Sequence, residues 1–246
     1  MLLILFSILL LAIVLVGCGK KGGKIPPLII AEVLVPGSTS FPMGINDTVI
    51  CSEVNYPYFM AKHEVTYQLW KEVYVWATDT RRGANRYSFQ NHGEMGGEGV
   101  SGSEVQKTPQ HPVTMISWRD ALVWCNALTE CYNARNGTNL ECVYTFGGQI
   151  IRDSTDDNAI ACDNVTAGAT KGFRLPTSME WELAVRYEID PIWTPTPGNH
   201  VSGDASGPCY SKDSGATLST VFGDYAWYQD NCGGSTHIAG RKLPNA

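Results

Sequence analysis

The sequence has few charged residues and no extended basic cluster. Lysine and arginine together number 18, aspartate and glutamate 24, and the formal net charge is −6. The basic residues cluster only at Lys20, Lys21 and Lys24, whereas a surface that follows a phosphate backbone needs many of them. We therefore expect no nucleic-acid partner. Low charge with 10% aromatic residues also excludes a disordered chain, and 246 residues suffice to bury a core.

Motifs of common catalytic and metal sites are missing as well. The eight cysteines include no Cys-x-x-Cys spacing, which argues against a zinc or redox motif. The glycine-rich stretch 93–99 lacks the Lys-Ser/Thr pair of a phosphate-binding loop, and no Gly-x-Ser-x-Gly element occurs. Cys125 and Cys131, six residues apart on a predicted helix, are separated by about 9 Å along its axis and cannot share a metal ion or a disulfide. Because these motifs are missing, the sequence assigns no catalytic, cofactor-binding or metal-ligating residue.

The N-terminus carries the long apolar run of the sequence. Residues 2–16 contain one polar side chain, and as a helix they would rise only about 22 Å, short of a hydrocarbon core of roughly 30 Å. Leu15-Val16-Gly17-Cys18 resembles a bacterial lipobox. This predicts a signal peptide at 1–17, lipidation of Cys18 and a flexible tether at 18–28. An uncleaved signal anchor is the alternative, because no lysine or arginine precedes Leu2.

The rest of the chain predicts short strands and capped helices. Strands are predicted at 29–35 and 40–44, helices at 66–77, 117–137 and 177–187, and a hairpin at 142–152. Residues 81–108 are predicted to be a surface loop, and the aspartates at 153–163 a solvated loop rather than a calcium site. Trp181 is expected on the apolar stripe of the last helix. Residues 225–228 are expected to form a buried aromatic strand or corner.

Five separated segments resemble the formylglycine-generating enzyme (sulfatase-modifying factor) family. They are Phe41-Pro42-Met43-Gly44; Glu64-Val65-Thr66; His111-Pro112-Val113 with Ser117-Trp118-Arg119-Asp120-Ala121; Gly172-Phe173-Arg174-Leu175-Pro176-Thr177 with Glu180-Trp181-Glu182-Leu183-Ala184-Val185-Arg186; and 227–246. The Arg-Leu-Pro-Thr and Glu-Trp-Glu element is the specific one. Independently of the family, Arg174, Glu180 and Trp181 are interpreted as packing and hydrogen-bonding residues that orient the last helix, and His111 as a turn residue.

The resemblance implies an α+β fold, an elaborated C-type-lectin-like domain with much irregular structure, at residues 29–246. Active members of the family oxidise a cysteine of a sulfatase peptide to formylglycine, using O₂ and a copper(I) ion held by two cysteine thiolates, and they bind structural calcium. The cysteine pair follows a Gly-Asn-Val-Trp-Glu-Trp element that also helps bind the calcium, and the sequence ends at Ala246 before either. We therefore expect an incomplete domain whose cysteines do not align with the copper ligands.

Three functional hypotheses follow. The leading one is a lipid-anchored, extracytoplasmic protein of the bacterial cell envelope with a non-catalytic sulfatase-modifying-factor domain. The first rival is a truncated copper-dependent formylglycine-generating oxidase acting on sulfatase cysteines. The second is a ligand-binding surface lipoprotein on a C-type-lectin-like scaffold. The expected partners are the membrane, through the lipid anchor, and a protein or peptide ligand. The fold alone does not choose among the three hypotheses, because one scaffold hosts many functions.

Overall fold

The computed structural model describes residues 25–37, 41–43, 49–51, 54–96, 107–186, 226–228 and 231–243. Within these ranges the helices are α1 (Tyr67–Ala77), α2 (Trp118–Asn136), α3 (Ala159–Asp163) and α4 (Ser178–Arg186). Two 3₁₀ turns span Thr80–Asn85 and Asp156–Asn158. No helix in these ranges has both the length and the hydropathy needed to cross a bilayer.

The strands form small antiparallel sheets. They are β1 (Glu32–Val35), β2 (Phe41–Met43), β3 (Val49–Cys51), β4 (Tyr58–Ala61), β5 (Glu94–Met95), β6 (Val113–Thr114), β7 (Tyr144–Phe146), β8 (Gln149–Ile150) and β9 (Thr166–Ala167). β1 pairs with β4, β2 with β3 and β5 with β6, while β7 lies between β8 and β9. Small sheets, four helices and long irregular connections among the described residues confirm the predicted α+β class.

Local signals in the sequence fix the ends of α1 and α2. The Thr66 hydroxyl accepts a hydrogen bond from the backbone of Leu69 and begins α1. Ser117 and Asp120 form the predicted capping box of α2, and Gly137 ends the helix in the left-handed conformation. Such caps satisfy backbone groups that have no partner inside the helix, so the predicted bounds of both helices are confirmed.

The main core lies between α1 and α2. Trp70 and Trp124 stack with ring centroids 5.2 Å apart, and the Trp124 indole donates to the Trp70 carbonyl at 3.2 Å. The buried Asn126 amide on α2 donates to the carbonyls of Tyr144 and Ile151 and accepts from the Tyr144 backbone. A polar side chain that meets three backbone groups is fully compensated for its burial, so α2 positions the β7–β8 hairpin.

A second, smaller core joins the N-terminal strands to α4. Its buried members are Val35, Phe41, Val54 and Leu183. The predicted apolar stripe of α4 is wrong at Trp181, which is exposed, because Leu183 is the residue that faces this core.

Three further predictions are corrected by tertiary packing. Residues 81–108 are not a surface loop throughout: Tyr87 is fully buried, and its backbone donates to the Ala77 carbonyl at the end of α1. The aspartate-rich stretch carries a 3₁₀ turn and α3, with Cys162 buried beneath it. Trp227 is exposed rather than buried and lies outside regular strand structure.

Candidate functional site

The structure brings the family-like segments together in pairs. The Val113 backbone donates to the Val65 carbonyl at 3.0 Å, and Tyr67 donates to the His111 carbonyl at 2.8 Å. Phe41 and α4 share the smaller core. These contacts join the second segment to the third and the first to the fourth. His111 is buried, and its Nδ1 accepts from the Thr108 backbone at 3.1 Å, which confirms its role in a turn.

Glu180 is the centre of a buried polar cluster at the start of α4. Its carboxylate accepts from both terminal nitrogens of Arg174, from the Thr177 backbone at 2.8 Å and from the Tyr56 hydroxyl at 2.9 Å. The Thr177 hydroxyl in turn accepts from the Glu180 backbone, which completes a capping box. Burial alone would raise the pKa of Glu180, but these hydrogen bonds lower it to about 2. The predicted structural role of Arg174 and Glu180 is confirmed.

Asp120 is a second buried carboxylate, at the start of α2. It accepts hydrogen bonds from Ser117, from the Ser154 hydroxyl at 2.6 Å and from the Asn91 amide at 2.8 Å. Burial opposes ionisation, yet the donors lower the pKa of Asp120 below its ordinary range. Because its acceptor positions are filled from inside the protein, this carboxylate ties three chain segments together and has a structural role.

An open cleft lies beside α1, with a volume of about 260 Å³. It is lined by Tyr67, His92, Gly93, Glu94, Met95 and Lys107. Within the described part of the chain, the hydroxyl, imidazole, carboxylate and ammonium groups of this lining make no hydrogen bond or ion pair with other side chains. Opposite charges and apolar surface thus meet in one open cleft.

Gly93 shapes the floor of this cleft. Its φ is +73°, and a Cβ placed there would lie 2.6 Å from Nε1 of Trp70. That indole nitrogen donates to the His92 carbonyl at 2.9 Å. A residue with a side chain would break this arrangement, so glycine is required by both conformation and space. Sequence reasoning missed the cleft, since its residues come from separate stretches and carry no motif.

The described C-terminal segment, residues 231–243, packs against the chain near His63 and Gln110. The Ala239 backbone donates to the Gln110 carbonyl at 3.1 Å, and Gly240 lies against the His63 ring. Trp227 stacks on His237 with centroids 3.6 Å apart. The fifth family-like segment therefore contacts the residues that directly precede the second and third segments.

Four of the described thiols are too deeply buried to suit a copper site. Burial raises the pKa of Cys125 to about 12 and those of Cys131 and Cys142 to about 11, and it also raises that of Cys162. These four and the half-buried Cys232 are the free thiols among the described residues. Copper(I) sites need thiolates, and burial disfavours the thiolate form of Cys125, Cys131, Cys142 and Cys162. These four buried thiols do not fit the copper of the resemblance.

The aspartates at 153–163 do not fit calcium either. The Arg119 guanidinium lies between two of them, donating to Asp163 at 2.8 Å and to Asp156 at 3.2 Å. Asp153 accepts instead from Thr155 and Asn158. A cation would have to displace an arginine, so this stretch is a polar structural element. Cys18 and the tether before residue 25 lie outside the described residues.

Comparison with family models matches residues 29–230 to the sulfatase-modifying factor enzyme 1-like (FGE-sulfatase) domain. The chain belongs to this family. The match covers four of the five segments that carry the resemblance and the first residues of the fifth, 227–230. The family also agrees with the mixed α and β structure. The Arg174–Glu180 cluster is thus part of a sulfatase-modifying-factor domain.

Individual relatives are more distant. Chaperone protein LppX of Paenibacillus barcinonensis is 29% identical over 133 residues, which are 52% of this chain and 35% of that protein. Treponema denticola variable protein 1 superposes with a TM-score of 0.54 at 24% identity, covering 87% of this chain and 66% of the other, and supports the fold. The crystal structure of CarF matches with a TM-score of 0.49 at 28% identity, over 65% and 57% of the two chains. The chain spans about a third of the length of the curated relative.

Proposed function

We propose that this chain is a lipid-anchored protein of the bacterial envelope whose sulfatase-modifying-factor domain binds a protein or peptide and does not oxidise cysteines. The observation that carries this proposal is the state of the thiols. A copper(I) oxidase needs two accessible thiolates close together, whereas burial raises the pKa of four of the five free thiols that the structure describes, Cys125, Cys131, Cys142 and Cys162.

The proposed ligand site is the cleft beside α1. Glu94 and Lys107 provide opposite charges that have no partner among the described residues, and Tyr67 and His92 add neutral hydrogen-bonding groups. An extended peptide carries backbone donors and acceptors together with charged side chains. The cleft therefore has the groups to bind a short peptide segment by polar contacts around Met95.

The proposed anchor is supported by the sequence. Leu15-Val16-Gly17-Cys18 resembles a lipobox, and two acyl chains give stable membrane attachment. Replacing Cys18 with alanine should remove acylation detected by palmitate labelling and release the chain from membrane fractions. Persistent membrane association of the Cys18→Ala variant would favour the signal anchor instead.

Copper binding distinguishes the binding protein from the oxidase. The purified chain should fail to compete with bicinchoninate for copper(I), and it should leave the cysteine of a sulfatase-derived peptide unchanged in mass under O₂. A stoichiometric, tight copper(I) complex together with conversion of the peptide cysteine to an aldehyde would overturn the proposal in favour of the oxidase.

Peptide selection tests the cleft. Random peptides displayed on phage and selected on the chain should lose binding to the double variant Glu94→Ala with Lys107→Ala. The matched control is Lys171→Ala, which removes an exposed lysine that does not line the cleft. If selected peptides bind the double variant and the control equally, the cleft is not the ligand site.

A further inference from the structure

The asparagine that ends α2 holds the start of the described chain. The Asn136 side chain accepts a hydrogen bond from the Leu28 backbone at 2.8 Å and donates one to the Leu28 carbonyl at 2.9 Å. The neighbouring Arg135 donates to the Pro26 carbonyl at 2.7 Å, and the Leu28 side chain is buried in the main core. These contacts, called here the Leu28 clasp, hold residues 26–28 against the last turn of α2.

Glycine follows this asparagine, and Asn136-Gly137 is the only Asn-Gly pair in the sequence. Gly137 ends α2 in the left-handed conformation, with φ at +69°, which favours glycine. It is exposed, and a Cβ placed on it would meet no atom within 4 Å. Asparagine is a thermally labile residue, and it is most labile before glycine, because no side chain hinders attack by the glycine nitrogen. The clasp and the helix end thus place a labile pair together.

We propose that Asn136 is a site of spontaneous deamidation and that the Leu28 clasp controls the reaction. The backbone nitrogen of Gly137 attacks Cγ of Asn136 and a succinimide ring forms. The side-chain nitrogen leaves as ammonia and takes the proton of the attacking nitrogen. Water then opens the ring to aspartate or isoaspartate, so water is the only co-reactant and no atom is oxidised or reduced.

Both reacting groups are held in the folded chain. The Asn136 amide binds Leu28 through its oxygen and through its nitrogen, and the Gly137 backbone donates to the Asn133 carbonyl at 2.9 Å. Ring closure requires the amide to turn from Leu28 towards Gly137 and the last hydrogen bond of α2 to break. Deamidation therefore proceeds through local opening, at a rate set by how often residues 26–28 leave the end of α2.

Deamidation makes this opening permanent. The nitrogen that donates to the Leu28 carbonyl is replaced by an oxygen, so two acceptors face each other in place of a hydrogen bond. The new carboxylate also lies at the C-terminal end of the 19-residue helix α2, where negative charge is unfavourable. Isoaspartate adds a methylene group to the main chain at the same point. The modified chain therefore does not close the clasp again.

Peptide mapping of the purified chain during incubation at pH 8 measures the reaction. Trypsin cleaves after Arg135 and Arg152, so residues 136–152 form one peptide that contains Asn136 and the control Asn139. We expect fragment masses to show deamidation at Asn136 and little at Asn139. The reaction should be several-fold faster in urea than in the native chain. Equal deamidation of the two asparagines would overturn the proposed site.

Two leucine variants distinguish opening of the clasp from global unfolding. Leu28→Ala removes apolar contacts at the clasp, whereas Leu183→Ala makes the same change in the smaller core. We expect Asn136 to deamidate several-fold faster in native Leu28→Ala than in native Leu183→Ala. Equal rates in the two variants would overturn control by the clasp. If circular dichroism shows that either alanine variant is unfolded, Leu28→Val and Leu183→Val give the same comparison.

The variant Asn136→Asp tests the consequence for the N-terminal segment. Amide hydrogen exchange of residues 25–35 should be several-fold faster in this variant than in Asn139→Asp, which places the same charge at an exposed position. Equal exchange in the two variants would show that an aspartate keeps the clasp closed, and it would overturn the permanent release.

Discussion

Replacing Glu180 with glutamine tests the polar cluster of α4. The amide retains the size of the carboxylate but removes the charge that faces Arg174, and its NH₂ group would oppose a donor in the cluster. The carboxylate is fully buried, while the Arg174 side chain is 31% exposed. Removing one partner of a buried pair costs about 3–5 kcal/mol, and the exposed part of Arg174 favours the lower end of that range.

The lowered pKa of Glu180 gives a similar magnitude. A shift from the ordinary 4.5 to about 2 corresponds to about 3 kcal/mol at neutral pH. For a domain of this size, about 3 kcal/mol lowers the melting temperature by roughly 6–12 °C. Because the folded pKa is lowered, this stabilisation is present above the unfolded pKa and is lost as the pH falls from 4.5 towards 2.

Thermal unfolding followed by circular dichroism at pH 7 measures this loss. The matched control is Glu94→Gln, the same chemical change at an exposed carboxylate of the cleft, which should alter stability by less than about 0.5 kcal/mol. The difference between the two variants should shrink as the pH is lowered to 3. Equal melting temperatures for both variants at pH 7 would refute the structural role of Glu180.

Three other substitutions or reactions give direct tests. Gly93→Ala should lower the free energy of unfolding in urea by about 1–3 kcal/mol, because position 93 has a positive φ and a Cβ there would meet the Trp70 indole. The loss should exceed that of Gly147→Ala, whose Cβ would meet open space. Equal losses would contradict the clash. Cys125 should resist iodoacetamide at pH 8 until the chain is unfolded, since burial raises its pKa to about 12, and rapid alkylation of the native chain would show an open core. Asn136→Ala should destabilise the domain by about 1–3 kcal/mol, because it leaves backbone groups of Leu28 unpaired. An unchanged urea unfolding curve would show that these two hydrogen bonds do not stabilise the domain.

The elements that the sequence predicts well are set by neighbouring residues. Ser117 and Asp120 are three positions apart, so their reciprocal hydrogen bonds can be inferred from spacing alone. Gly147 and Gly148 both adopt positive φ in the β7–β8 turn, as their position between two apolar runs predicts. The pairing of Arg174 with Glu180 is also short-range, six residues along the chain.

The elements that the sequence does not predict depend on distant partners. Tyr87 is buried because the end of α1 and the β7–β8 region meet around it. No periodic pattern in residues 81–108 predicts that contact. Trp181 is exposed because Leu183 fills the smaller core. The cleft draws Tyr67 from α1 and Lys107 from the far side of a long connection, so its formation requires the folded chain.

The two hydrogen bonds between Asn136 and Leu28 have a mechanical consequence. They connect positions 108 residues apart and place the base of the tether on the longest helix described. Tension on the N-terminal segment would therefore reach the end of α2, a helix whose buried residues lie in the main core, before it reached β1. A force applied at residue 25 would thus load the main core before the sheet of β1 and β4.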